Sequence, residues 1–173
     1  MKLGGGEFGI AEWPDEEIHP SVAACSTIDR YLVAWQSFVF GTDYDIYARF
    51  VTGDGTTDGG PLHVAERTAN EQETDVACNP RAREFLVVFE EQYSNLTGPY
   101  GVTARQISAQ KTMGPLVGIV GPYTATNRTM PVVASGYPGY LVAWEHDRLG
   151  TVYQDIHGRL FWSHGTYLPL IAH

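Results

Sequence analysis

A run of five apolar residues returns three times along this chain at a nearly constant interval. Tyr31-Leu32-Val33-Ala34-Trp35 recurs as Phe85-Leu86-Val87-Val88-Phe89 and as Tyr140-Leu141-Val142-Ala143-Trp144. Ahead of these runs lie Ser21-Val22-Ala23, Asp75-Val76-Ala77 and Val132-Val133-Ala134. Behind them lie Asp45-Ile46-Tyr47-Ala48-Arg49, Gly101-Val102-Thr103-Ala104-Arg105 and Asp155-Ile156-His157-Gly158-Arg159. Pro61-Leu62, Pro115-Leu116 and Pro169-Leu170 close the series, 54 residues apart both times, while the other landmarks keep spacings of 54 to 57. Four landmarks held in register over three copies mark a structural repeat, and a repeat constrains the fold more than any local signal does.

Each copy holds four short runs rich in Val, Ile, Leu and aromatic residues, separated by Gly, Pro, Asp, Asn and Thr clusters. That pattern predicts four strands per unit. The second run is apolar on both faces, as a strand inside a covered sheet must be. The third alternates, with Ile46 and Ala48 facing one way and Tyr47 and Arg49 the other. Four antiparallel strands that cannot bury both faces alone make the blade of a β-propeller. A β-sandwich is the alternative, but it predicts no such regular period. The expected organisation is a flexible stretch over 1–7 and a single propeller arc over 8–173, with repeats at 19–72, 73–129 and 130–173.

Composition agrees with an all-β chain. Nineteen Gly and ten Pro are too many for a helical bundle, and 43% hydrophobic with 18% charged residues is too apolar for a disordered one. Eleven Lys and Arg against twenty Asp and Glu leave a net charge of −9, and only Lys2 and Lys111 are lysines. So few cations argue against nucleic-acid binding, which draws its affinity from clustered Lys and Arg, and against anionic membranes. No window reaches the apolar length of a membrane span. Residues 1–7 lack the apolar stretch of a secretory signal, and the compartment is left open.

The order Pro-x-Val-Ala, Tyr-Leu-Val-x-Trp, Asp-Ile-Tyr-x-Arg, Gly-Asp-Gly resembles the blades of β-propeller repeat proteins common in bacterial genomes. The resemblance runs from about Phe8 to His173. It implies a propeller fold and a secreted or surface setting, and it implies no catalytic position, because propellers carry enzymes, lectins and scaffolds alike. The second copy departs most. Phe89 stands for the Trp, Gly101 for the Asp, and the Gly-Asp-Gly turn is lost.

Phe8-Gly9-Ile10-Ala11-Glu12 aligns with Leu62-His63-Val64-Ala65-Glu66, 54 residues later, and reads as the outermost strand of a further blade. Propellers close with four to eight blades. Three blades leave two apolar faces open, so a homodimer forming a six-bladed ring is expected, with a fragment of a longer propeller as the alternative. In such a ring residues 8–12 compete with 168–172 to close the third blade.

Arg49, Arg105 and Arg159 share one repeat position, and Gln36, Glu90 and Glu145 share another. A position filled alike in every blade points to blade packing rather than to a ring gripping a ligand, and Trp35, Phe89 and Trp144 read the same way because they end buried strands. Recognition is expected where the copies differ, in the loops Gln36–Tyr44, Glu90–Tyr100 and Glu145–Gln154. Their aromatic and acidic residues include Phe38, Phe40, Asp43, Tyr44, Glu91, Tyr93, Tyr100, His146, Asp147 and Tyr153. Aromatic faces beside carboxylates suit a glycan, and a protein ligand is the other expectation. Trp162, where the preceding repeat has Ser108, is a further candidate platform or dimer contact.

The enzymatic alternative is a glycoside hydrolase using Glu145 and Asp147 as acid and base or nucleophile. No nucleophile elbow, P-loop or dinucleotide motif is present, and no cofactor is implied. Asp54-Gly55-Thr56 reads as a structural turn. Asp43 with Asp45, and Asp54 with Asp58, lack the spacing of a calcium loop, and no metal site is expected. Cys25 and Cys78 lie one place out of register on successive first strands. Alternation then places them on opposite faces, so free thiols are expected.

Overall fold

The computed structural model describes residues 6–39, 43–92, 98–121, 126–147 and 152–162. They form eleven strands and no helix. The first sheet runs β1 (Glu16–Cys25), β2 (Arg30–Val39), β3 (Asp43–Thr52) and β4 (Thr57–Ala65), in that spatial order. The second repeats it with β5 (Glu71–Asn79), β6 (Glu84–Gln92), β7 (Tyr100–Ser108) and β8 (Met113–Val120). The third contains β9 (Arg128–Ser135), β10 (Gly139–Asp147) and β11 (Gln154–Trp162). Every pairing is antiparallel between sequence neighbours. Residues 168–172 lie outside the described residues, as does most of the 1–7 stretch.

The sheets stack face on face in a propeller-like arrangement. Leu32, Ala34, Ile46, Ala48 and Phe50 of the first sheet meet Val76, Phe85, Val87 and Phe89 of the second. The opposite face of the second sheet, with Leu86, Val88, Val102 and Ala104, meets Tyr140, Val142 and Trp144 of the third. Full burial of each such side chain contributes about 1.5–3 kcal/mol. The two-faced apolar runs take the central places, and β6, with a sheet on either side, is buried along almost its whole length. This stacking explains the alternation seen along β3.

Stacking also overturns the expectation of free thiols. Cys25 and Cys78 form a disulfide, with Cα atoms 5.5 Å apart. The expectation treated the two strands as members of one surface. In a stack, the face that one sheet offers its successor is opposite to the face the successor offers back. Two residues that meet across the interface must therefore differ by one place in register, as these do.

The strands run further than expected into the second loop of each unit. Cross-strand pairs such as Phe38–Tyr44 and Glu91–Gly101 extend the ladders, so Gln36, Phe38, Tyr44, Glu90, Glu91, Glu145, His146 and Asp147 belong to strands. Residues 8–12 differ in the other sense. They form no strand. Their placement is nevertheless specific. Arg49 donates through Nη1 to the Ile10 carbonyl at 2.7 Å, as Arg105 does to the Val64 carbonyl of β4 at 2.7 Å. Arg159 does the same to Ile119 of β8. Through Nε, Arg49 and Arg105 also hold Gly59 and Gly114 of their own outer strands, both at 2.8 Å.

Candidate functional site at the loop face

The ends of β2, β6 and β10 and the starts of β5 and β9 all lie at one end of the stack. There the first strands share a distortion. Each ladder slips register, between Ile18 and Ser21, between Gln72 and Asp75, and opposite Ala143–Glu145. At the slip sit His19, Glu73 and Met130, with φ of 53°, 51° and 52°. A non-glycine residue in this left-handed region costs about 1–2 kcal/mol, so a bulge repeated in all three sheets is held by something. For Glu73 and Met130 the holder is the second strand of the preceding sheet. Gln36 Oε1 accepts the Glu73 N–H at 2.8 Å, and Glu90 Oε1 accepts the Met130 N–H at 2.6 Å. The bulges bring His19 and Glu73 together at 3.1 Å.

Behind the bulges lies a set of buried acids. Glu71 is fully buried, and Asp45, Glu90 and Glu91 are nearly so. Burial and then the charge of Asp45 push Glu71 up to about 9. Burial, followed by the Asp43 charge, raises Asp45 to about 6. Burial also raises Glu90 to about 7, against the hydrogen bonds it receives from Met130 and Gln72. Glu91 is the paired member, bound by Arg67 Nη1 at 2.5 Å and by the Thr103 hydroxyl at 2.7 Å. Glu71 Oε1 and Asp45 Oδ1 have no hydrogen-bond partner. Burial pushes Tyr100 up as well.

The expected recognition residues divide between the two ends. Tyr44, Tyr100, His146 and Tyr153 lie at the loop face. Tyr44 packs on Phe38 with ring centroids 5.0 Å apart and donates its hydroxyl to Glu16 at 3.0 Å. His146 packs on His157 at 4.4 Å, and its pKa is lowered by burial and by Arg128. Tyr153 is largely exposed. Trp162, at the far end of β11 and paired with Gly139, is remote from all of these. Tyr93 and Phe40 lie outside the described residues.

Glu145 and Asp147 stand two places apart on β10 and so share a face. Asp147 is occupied by the Asn127 side chain at 3.0 Å and by Gln154 at 3.3 Å. Asn127 clasps the strand end, since its Oδ1 also takes the Tyr100 N–H at 3.1 Å. Asn70 does the same for Tyr44 at 3.2 Å and Gln92 at 3.0 Å. Asp54 caps its turn by accepting from Thr52 and Thr56, and Asp58 pairs with Lys111 at 2.7 Å and Arg30 at 3.1 Å. No group of three metal-ligating side chains occurs among the described residues.

Sequence reasoning did not single out His19, Glu71 or Glu73. The available signal was Glu71-Gln72-Glu73, three polar residues opening a strand whose remainder is core.

No protein-family model matches the chain, and no curated protein matches it in sequence. Among solved structures it is similar to an α-L-arabinanase of Penicillium chrysogenum, determined as a complex with arabinobiose. The TM-score is 0.55 at 21% identity, over 76% of this chain and 41% of the arabinanase. At that identity the likeness concerns fold. With the stacked sheets of three and four strands, it makes this chain an all-β protein of propeller-like architecture. The chain spans well under half the length of the arabinanase.

Proposed function

We propose that this chain is a non-enzymatic binding module on a β-propeller arc, whose sheets are the blades, and that its ligand is a carbohydrate taken at the loop face. The observation that carries the reading is the repeated left-handed bulge. Three successive first strands each carry a residue in the left-handed region, His19, Glu73 and Met130, at one end, and the first two of these meet at 3.1 Å. Tyr44, Tyr100, His146 and Tyr153 lie at the same end. A sugar needs apolar faces to stack on and hydrogen-bonding groups to fix its hydroxyls, and both kinds of side chain occur there. The arabinobiose in the similar arabinanase supports the choice of ligand class. Binding should be measured by calorimetry against arabino-oligosaccharides and a glycan array. Tyr44→Ala and Glu73→Ala should each weaken a bound glycan tenfold or more, whereas Trp162→Ala at the other end should leave it unchanged. Failure of every glycan to bind overturns the reading.

A second reading rests on Glu145 and Asp147, two carboxyls that share one face of β10 at the loop face. It makes the chain a glycoside hydrolase, with these two as acid and base or nucleophile. Turnover of chromogenic arabinosides, lost in Glu145→Gln, would favour it over the binding module.

A further inference from the structure

Among the described residues the stack ends in two open faces. The third sheet leaves Leu141, Ile156 and Leu160 exposed, whereas their counterparts Leu32, Ile46 and Phe50 in the first sheet are buried against the second. On the other side, the first sheet leaves Val22 and Tyr31 exposed where the second buries Val76 and Phe85. The two faces are therefore the two halves of an interface that this chain already makes twice.

Two further details fix the register. Gln36 and Glu90 each accept the bulge N–H of the next sheet, and Glu145 holds the same place with no next sheet to serve. At the opposite end, Arg49 grips the Ile10 carbonyl exactly as far away as Arg105 grips that of Val64, an outer strand. Residues 8–12 thus occupy the position of an outermost strand belonging to a preceding sheet. The recesses between them and the first sheet, lined by Phe8, Ile10, Tyr31, Val33 and Trp35, have the place of that sheet's inner strands. The third sheet, for its part, has three strands and an open edge at β11 among the described residues.

We infer that a second copy of this chain closes the arc head to tail, with Leu141, Ile156 and Leu160 packed on the partner's Val22 and the partner's Tyr31. Glu145 accepts the backbone N–H of the partner's His19, as Glu90 accepts that of Met130. Residues 8–12 of each copy pair with β11 of the other as its fourth strand. Two copies of three sheets make a six-bladed ring, and a two-fold axis lets the same contact occur twice with no edge left over. The inference is independent of what binds at the loop face.

Light scattering on a sizing column tests it. The expected mass is twice 19.1 kDa. Ile156→Arg places a charge on a side chain that is solvent-exposed in the single copy, so it should halve the mass and leave the circular dichroism unchanged. Deleting residues 2–12 should raise the dimer dissociation constant at least tenfold. Register is tested by Ala24→Cys with Gly136→Cys, the repeat counterparts of Cys78 and Cys25. A Cβ built on Gly136 meets nothing within 4 Å. The double variant should run as a covalent dimer on a non-reducing gel, and neither single variant should. A folded monomer, a mass above the dimer, or a dimer indifferent to Ile156→Arg overturns the inference. A dimer indifferent to the deletion overturns the strand exchange.

Discussion

Gln36 and Glu90 do the same work with different chemistry. Each offers one oxygen to a backbone N–H of the next sheet, and the amide shows that the position requires an acceptor and not a charge. A carboxyl that does the work of an amide can remain protonated, which is the form that burial favours. The same holds more strongly for Glu71. Glu71, Glu90 and Asp45 all bind their protons more tightly when folded than when unfolded, so stability falls as pH rises through their folded values of about 9, 7 and 6. Asp147 is shifted the other way, and its contribution is lost in acid, below its unfolded value. The melting temperature should therefore peak near pH 5 and decline steadily to pH 9. Glu71→Gln should flatten that decline while changing little at pH 5, as a thermal series on both proteins would show. A slope equal in the two proteins would remove Glu71 from the account. None of this could be read from the sequence, because a carboxylate's burial is set by side chains from two other strands.

Elements were the most legible level. The third-strand arginines were expected to serve packing, and Arg105 ties β8 of its own sheet to β4 of the preceding one. Strand order and the buried central runs follow directly from the apolar pattern. The hairpins were less legible, since cross-strand pairs such as Phe38–Tyr44 extend a ladder through residues that read as loop. The cysteines were misread for a geometric reason, the opposed faces of stacked sheets. Their bond ties the inner strands of two sheets across 53 residues of chain, a loop long enough for about 2–4 kcal/mol of stabilisation. Cys78→Ser should lose that amount in urea unfolding. Reducing agent should lower the wild type to the same midpoint and leave the variant where it is.

At the scale of the molecule, stability should be uneven. A stacked repeat draws its strength from its neighbours, and the second sheet has two of them while the third has one. The third sheet also lacks a bond like that between Cys25 and Cys78. Amide hydrogen exchange should therefore be slowest in β6 and fastest in β11, with β11 slowing as protein concentration rises if the arc closes on a second copy. Equal protection in β6 and β11 at low concentration would contradict this. The recurring apolar runs made the stacked sheets legible from sequence. The site was less so, because bulges arise from contacts between sheets, and only the polar opening of β5 hinted at one.

The bond between Cys25 and Cys78 closes a covalent ring that contains the whole of β2, β3 and β4. A protease that cuts once inside this ring, in the Asp54 turn or in the connection near Arg67, severs the backbone without releasing a fragment. The nicked chain would keep its full mass until a reductant is added and only then separate into two pieces. The first sheet is thus tethered to the rest of the molecule by a second path that does not depend on the integrity of its own hairpins.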